Sequence, residues 1–264
     1  MFKRIAKTKH KSRQAFTLVE LIIVLVILAI VAAMLVPALT GYIKKSKKEK
    51  YYEDAHYALV ASQSVITEVY GMGLDPNDET SFATTTDHGN VYWYTDPNQS
   101  GSDKSAVWGD KVLALMDRQR DKNEPYILIF GVGSSRRDSA DGKTGNVHTT
   151  ELQQHTVYYL AYVATDKSPA VFYVNGEWSY KYPKNKTDPK SVIGEVTLGS
   201  SGSFLYKNTI QCDKNGNKLD KKDMIPLTFY VVSNKSGIDI KNASFWSESN
   251  KKSLKAHAEP YFKV

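Results

Sequence analysis

The sequence predicts an α+β protein, in which one long N-terminal helix is followed by a head built on an antiparallel β-sheet. Residues 21–39 form an uninterrupted apolar run, residues 42–70 continue with apolar side chains at helical spacing, and residues 156–182 contain apolar strands joined by an Asn-Gly pair. A helix that precedes a series of strands, rather than alternating with them, is typical of the α+β class.

Composition places the chain among ordinary folded proteins. Its 264 residues are 41% hydrophobic and 24% charged, which excludes a disordered or collagen-like chain. Cys212 is the single cysteine, so the chain has no intrachain disulfide and no zinc site made of several thiolates.

The positive charge is concentrated on both sides of the apolar run. The formal net charge is +7, and residues 1–15 contain basic but no acidic side chains. A second basic cluster follows at residues 44–50, whereas residues 53–264 are close to neutral. A near-neutral head argues against nucleic acid as a specific partner.

The apolar run has the length of a membrane span. Leu21–Leu39 contains no charged residue, and about 20 apolar residues in a helix cross the hydrocarbon core of a bilayer. The basic residues before it predict that residues 1–15 stay in the cytoplasm and that the head lies outside. A secretory signal with a weak cleavage site at Val31-Ala32-Ala33, and a plain single-span anchor, are alternatives.

Glu20 distinguishes this run from both alternatives. A carboxylate at the edge of an apolar helix is costly to insert, and such residues indicate a functional site. The segment around it reads Arg13-Gln14-Ala15-Phe16-Thr17-Leu18-Val19-Glu20. A basic leader, a small residue and Phe-Thr-Leu-Val-Glu opening an apolar helix resemble the class III signal peptide of type IV prepilins.

This resemblance implies roles for individual residues. A prepilin peptidase would cut between Ala15, where the family usually has glycine, and Phe16, and would methylate the new amine of Phe16. Glu20 would be the assembly residue. The family also tends to have a proline late in the span, and Pro37 stands there.

The implied assembly is a helical filament of like subunits. Moving an apolar helix from lipid into a bundle of apolar helices gains little from the hydrophobic effect, so another interaction must set the register. The Phe16 amine of one subunit and Glu20 of a neighbour would supply it, because buried charge pairs are best attested as register devices.

Filament assembly also needs an energy source that the chain does not provide. Gly142-Lys143-Thr144 resembles the end of a Walker A loop, but Arg137 stands where its first glycine is required. The resemblance therefore implies an external assembly ATPase and a membrane platform protein as partners.

The predicted helix covers residues 16–70 in two parts, a filament core at 16–39 and an amphipathic part at 42–70. Pro37 removes a helical N–H group, and with Gly41 it predicts a kink at the membrane exit. The apolar face of the second part follows a spacing of three and four, and Gly71 with Gly73 predicts its end. Its positions are Tyr52, Ala55, Leu59, Ser62, Ile66 and Val69.

The head covers residues 71–264. We predict a long loop region at 74–109 anchored by Trp93 and Trp108, a short helix at 110–120 and a strand at 126–130. A central strand at 157–163 and a hairpin turning at Asn175-Gly176 follow. Further strands are predicted at 191–198, 203–210, 225–233 and 238–246.

No catalytic constellation is recognised, and neither enzymatic activity nor a cofactor is predicted. The histidines lack zinc-binding spacing, and no G-x-S-x-G nucleophile motif occurs. Aromatic residues between Tyr158 and Tyr182 could stack on glycans or single strands, but sheet packing explains them more simply. The one weak metal candidate is a calcium loop formed by Asp213, Asn215, Asn217 and Asp220.

The predicted function is that of a structural pilus subunit, anchored in the cytoplasmic membrane as a precursor and then polymerised into a surface filament for adhesion or motility. The absence of paired cysteines and the large head favour a Gram-positive type of pilin. Two alternatives stay open: a minor pilin or pseudopilin of a DNA-uptake or type II secretion system, and a signal-anchored binding protein or enzyme that never polymerises.

Overall fold

The computed structural model describes only part of the chain. The described residues are 17–74, 84–85, 90–92, 106–133, 149–180, 209–210, 217, 219–220, 223–237 and 257. The chain divides into two compact units, Met1–Glu49 and Lys50–Val264.

The first element is a single long helix, α1, at Leu18–Gly71. Its end is fixed by Gly73, whose φ of 67° lies in the left-handed region that favours glycine. The N–H of Gly73 donates to the carbonyl of Tyr70 at 2.9 Å, and the N–H of Leu74 donates to that of Val69 at 3.2 Å. This pair of hydrogen bonds forms a Schellman motif, so the glycine pattern predicted the end of the helix correctly.

One face of α1 between residues 55 and 69 is buried in the head. Ala55, Ser62, Ile66 and Val69 were predicted on this face and are buried. Tyr52 differs, because 38% of its surface is exposed. Its ring packs at the rim, 5.1 Å from that of Trp178 between centroids. The full buried set is Ala55, Ala58, Ala61, Ser62, Val65, Ile66 and Val69.

The small residues of this face pack in the same core as larger side chains of the sheet. Ala55, Ala58 and Ala61 recur every three residues and are at most 4% exposed. Because alanine projects little from the helix surface, larger side chains from the sheet fill the space above it. Val65 and Ile66 continue the same core with full burial.

Besides α1, the described residues contain two short helices and eight strands. The helices are α2 at Ala106–Leu115 and α3 at Glu151–Gln154. The strands are β1 at Thr84–Thr85, β2 at Asn90–Tyr92, β3 at Ile127–Gly133, β4 at Val157–Val163, β5 at Ala170–Val174, β6 at Glu177–Ser179, β7 at Thr209–Ile210 and β8 at Ile225–Asn234.

The strands form a sheet in the order β1-β2-β8-β3-β4-β5-β6, and β7 pairs with β8. The five strands β8, β3, β4, β5 and β6 are antiparallel throughout, which confirms the α+β class and agrees with a pilin fold. At one end β2 pairs in parallel with β8. The strand β8 pairs with β3 in the middle of the sheet, although the two strands are far apart in sequence.

Both faces of the central strands are buried. On one face Phe130, Leu160 and Tyr230 belong to the core that contains the buried residues of α1 and two residues of α2. On the other face Tyr159, Phe172 and Phe229 form a second core with Ile210 of β7. The apolar character of both sides of residues 157–163 predicted this double burial correctly.

The predicted hairpin is also confirmed. Asn175 and Gly176 have φ values of 46° and 95° and join β5 to β6 as a two-residue turn. Both values are positive, as a type I′ turn requires.

Some predicted boundaries were wrong. The region predicted as a loop at 74–109 contains β1, β2 and the start of α2, because long-range pairing with β8 decides the state of strands this short. The helix predicted at 110–120 begins and ends earlier, and β3 continues to Gly133. Trp93 and the strands predicted at 191–198 and 238–246 lie outside the described residues.

Gln63 joins α1 to the start of β4. Its Nε2 donates to the carbonyl of His155 at 2.8 Å, and its Oε1 accepts the N–H of Val157 at 2.9 Å. One side-chain amide thus satisfies two main-chain groups that precede and open a central strand. Nothing in the periodicity of α1 indicated this role.

Candidate assembly site

The candidate site lies in the first unit, on the N-terminal part of α1. The apolar side chains between Leu18 and Leu39 are exposed, from 45% at Val31 to 75% at Leu18. This is the one helix in the described part of the chain that is long and apolar enough to cross a membrane. By length and composition it fits the predicted span.

Glu20 lies in the first turn of α1 and is held by Thr17. The backbone N–H of Thr17 donates to Oε2 of Glu20 at 2.9 Å, and the Thr17 hydroxyl donates to the same oxygen at 2.8 Å. In return, the N–H of Glu20 donates to Oγ1 of Thr17 at 3.3 Å. These reciprocal bonds form a capping box, which satisfies free N–H groups at the start of the helix.

The capping box adds a role for Glu20 that the sequence interpretation did not include. The signal was present, because Thr17-Leu18-Val19-Glu20 is a Thr-x-x-Glu sequence directly before an apolar run. The carboxylate also stands at the positive end of the helix dipole, which stabilises negative charge there. Glu20 is therefore oriented within its own chain before any neighbour approaches.

This arrangement leaves the carboxylate suited to bind a cation. The two donors of Thr17 both end on Oε2, and a carboxylate has further lone pairs on its second oxygen. A protonated amine fits such an acceptor, with three N–H donors if it is primary and two if it carries one methyl group.

The other residues predicted for processing and bending are placed as follows. Ala15 and Phe16 lie outside the described residues. Pro37 and Gly41 both lie within the continuous helix α1. The Thr40 hydroxyl donates to the carbonyl of Pro37 at 2.8 Å, and the kink stays a prediction.

The weak calcium candidate is not brought together by the described residues. Asp213 and Asn215 lie outside them, whereas Asn217 and Asp220 lie within them. In the described ranges, no group of three or more His, Cys, Asp or Glu side chains could hold a metal ion. The calcium loop therefore stays a prediction.

Glu124 is a buried charged residue of the head, and its contacts explain its burial structurally. The side chain of Glu124 is 1% exposed and lies 3.3 Å from Nζ of Lys235 and 3.7 Å from Nη1 of Arg120. It also accepts the hydroxyl of Ser233 and the N–H of Asp121. A carboxylate with this many partners fixes the loop before β3 to the end of β8.

Comparison with known proteins gives one match, and it falls on the candidate site. Residues 10–36 match the family model described as the prokaryotic N-terminal methylation motif. No curated protein and no solved structure matches the chain. The matched residues include the end of the leader with Lys11 and Arg13, the Ala15–Phe16 bond, Glu20 and most of the apolar run.

The motif indicates a structural protein, because it marks precursors that a prepilin peptidase processes and that assemble into pilin filaments. It supports a precursor of the type IV pilin or pseudopilin kind. The N-terminal segment of this chain thus carries the prokaryotic N-terminal methylation motif, the class III signal peptide found in type IV prepilins.

Proposed function

We propose that this protein is a structural subunit of a type IV pilus, polymerised into a surface filament that serves adhesion or motility. Residues 1–15 are the leader removed by the peptidase, residues 16–70 form the helix of the filament core, and residues 71–264 form the exposed head. The observation that carries the proposal is the methylation motif together with a glutamate oriented at the start of the apolar helix.

The location follows from the same features. The precursor sits in the cytoplasmic membrane through residues 16–39, with its leader inside and its head outside. Prepilin peptidase exposes and methylates the amine of Phe16, and an external ATPase and platform protein then move the subunit into the filament.

In the filament, Glu20 receives the Phe16 amine of a neighbouring subunit. Leaving one member of a buried charge pair without its partner costs about 3–5 kcal/mol, which corresponds to more than a hundredfold in an assembly equilibrium. The pair therefore favours one stagger between subunits over all others. The capping bonds from Thr17 hold the carboxylate in place for this contact.

The first test is the N-terminus of the protein from its native host. We expect mass spectrometry to find a mature chain that begins at Phe16 and carries one methyl group on its amine. An intact Met1, or a start within Val31-Ala32-Ala33 or beyond it, would show that the chain is not processed as a pilin.

The second test separates the charge of Glu20 from its capping role. Glu20→Gln keeps an oxygen that accepts both donors of Thr17 but loses the charge, whereas Glu20→Ala loses both. We expect both variants to abolish filaments. Glu49→Gln is the matched control, since it removes an exposed carboxylate from the same helix. Filaments of normal abundance from Glu20→Gln would contradict the charge-pair mechanism.

A further inference from the structure

A basic surface on α1 is not used by the proposed assembly contact. Four lysines follow the apolar run within the first unit, and we refer to them as the lysine collar: Lys44, Lys45, Lys47 and Lys48. Three of them are exposed, and Lys48 is half-buried. At 100° per residue the collar covers about 160° of the helix circumference, so it forms one broad basic face.

The helical rise places the collar at a defined depth. Lys44 follows Leu39, the last residue of the apolar run, by five positions along a continuous helix. At 1.5 Å per residue its backbone lies about 7–8 Å beyond the end of the run. The polar headgroup layer on each side of a bilayer is about 5–8 Å thick. The backbone of Lys44 is therefore at the outer edge of the headgroup layer. The backbones of Lys47 and Lys48 lie about 12–14 Å beyond the run, and their long side chains extend back towards this layer.

The charge of the collar is not neutralised by its acidic neighbour. Nζ of Lys45 lies 3.9 Å from Oε1 of Glu49, and the two side chains are 76% and 63% exposed. An ion pair this exposed contributes little and is screened by salt. Residues 44–49 therefore keep a net positive charge.

The collar also opposes the orientation of the precursor. Basic residues favour the cytoplasmic side of a span, and the leader places the collar on the opposite side. A contact with negative charge on that side would offset this cost.

We propose that the lysine collar binds the headgroups of anionic phospholipids in the leaflet that faces the head. The proposal rests on the membrane-anchored precursor of the proposed function but not on filament assembly. Each lysine near an anionic membrane surface strengthens binding to that surface by about fivefold. The collar would thus gather anionic lipid around the precursor and hold the helix at a fixed depth until assembly removes it.

The test uses the full chain in vesicles of phosphatidylcholine with a minority of phosphatidylglycerol. A donor dye is attached at Ser46→Cys, within the collar, in a chain that also carries Cys212→Ser. Energy transfer is measured to acceptor-labelled phosphatidylglycerol and, separately, to acceptor-labelled phosphatidylcholine. We expect the phosphatidylglycerol around the dye to be enriched about two- to fivefold over phosphatidylcholine at low salt, and the enrichment to disappear at high salt.

The matched variants carry the same change in charge. Lys44→Gln with Lys47→Gln removes two collar lysines, and Lys122→Gln with Lys167→Gln removes two exposed lysines of the head. We expect the first pair to lose most of the enrichment and the second to keep it. Equal enrichment in the wild type and the collar variant, or an equal loss in both variants, overturns the proposal.

Two further outcomes have distinct meanings. Energy transfer can also be measured between labelled copies of the chain in pure phosphatidylcholine. If this transfer is lower for the collar variant than for the wild type, the collar makes contacts between chains and the lipid proposal is overturned. Insertion is checked by flotation of the vesicles after an alkaline wash. A chain that does not float with them refutes the membrane anchor itself, a different failure from an inserted chain that shows no enrichment.

Discussion

The side-chain amide of Gln63 is expected to secure the start of the central strand β4. Two of its three hydrogen bonds, to the carbonyl of His155 at 2.8 Å and from the N–H of Val157 at 2.9 Å, span more than 90 residues of sequence. The third, to Oγ1 of Thr67 at 3.3 Å, stays within α1. Gln63→Leu keeps a side chain of comparable size but removes all of them. A net hydrogen bond contributes about 0.5–1.5 kcal/mol, so the two long-range bonds together contribute about 1–3 kcal/mol.

Hydrogen exchange of the full-length protein in detergent measures this loss locally. The N–H of Val157 is the reporter, because its acceptor in the folded protein is Oε1 of Gln63. A loss of 1–3 kcal/mol in the local opening free energy corresponds to exchange that is about five to 150 times faster. The neighbouring Ser64→Ala is the control, since the Ser64 hydroxyl donates only within α1, to the carbonyl of Val60.

Unchanged exchange at Val157 would contradict this role of Gln63. If the Val157 amide of Gln63→Leu exchanges as slowly as that of the wild type, the amide bridge does not hold the strand. If Ser64→Ala accelerates exchange by the same factor, the effect comes from α1 as a whole.

Three further outcomes follow from individual contacts. Gly133→Ala should destabilise the head by at least about 1–3 kcal/mol in urea unfolding, because the new Cβ would lie 2.5 Å from the main-chain oxygen of Gln153. An unchanged urea midpoint would show that the backbone moves apart at little cost. Burial raises the pKa of Tyr162 above its usual value. The folded protein therefore keeps a proton that the unfolded chain loses above about pH 10. The free energy of unfolding should fall as the pH rises further, by up to about 1.4 kcal/mol per pH unit. Unfolding midpoints between about pH 9 and about pH 11 measure this slope, which must be shallower in Tyr162→Phe. Thr17→Val should reduce filament yield less than Glu20→Gln does, because it removes about 1 kcal/mol of helix capping but no charge. Thr17→Ser keeps the hydroxyl and should restore the yield. Equal losses in Thr17→Val and Glu20→Gln would contradict the separation of the capping role from the charge role.

The elements that the sequence predicted correctly are those whose cause is local. An apolar run without a polar face predicts a candidate span, and glycines after a periodic segment predict where a helix ends. Asn175-Gly176 predicts its turn because few other residues adopt two successive positive φ values.

The features that sequence reasoning missed depend on distant residues. The strands β1 and β2 have two and three residues, too few to show a period, and they are strands only because β8 pairs with β2. The bridge made by Gln63 joins groups that lie far apart in the chain. The capping box of Thr17 and Glu20 is different, because its local signal was visible.

The three alanines of α1 have a consequence for building chimeric subunits. Ala55, Ala58 and Ala61 are buried in the core of the head, so a larger side chain at any of them would overpack that core. A head transplanted onto the N-terminal helix of a different subunit will therefore pack correctly only if that helix has equally small side chains at the three equivalent positions. Grafting experiments should move the head together with its own segment 50–71, and join the foreign sequence upstream of it.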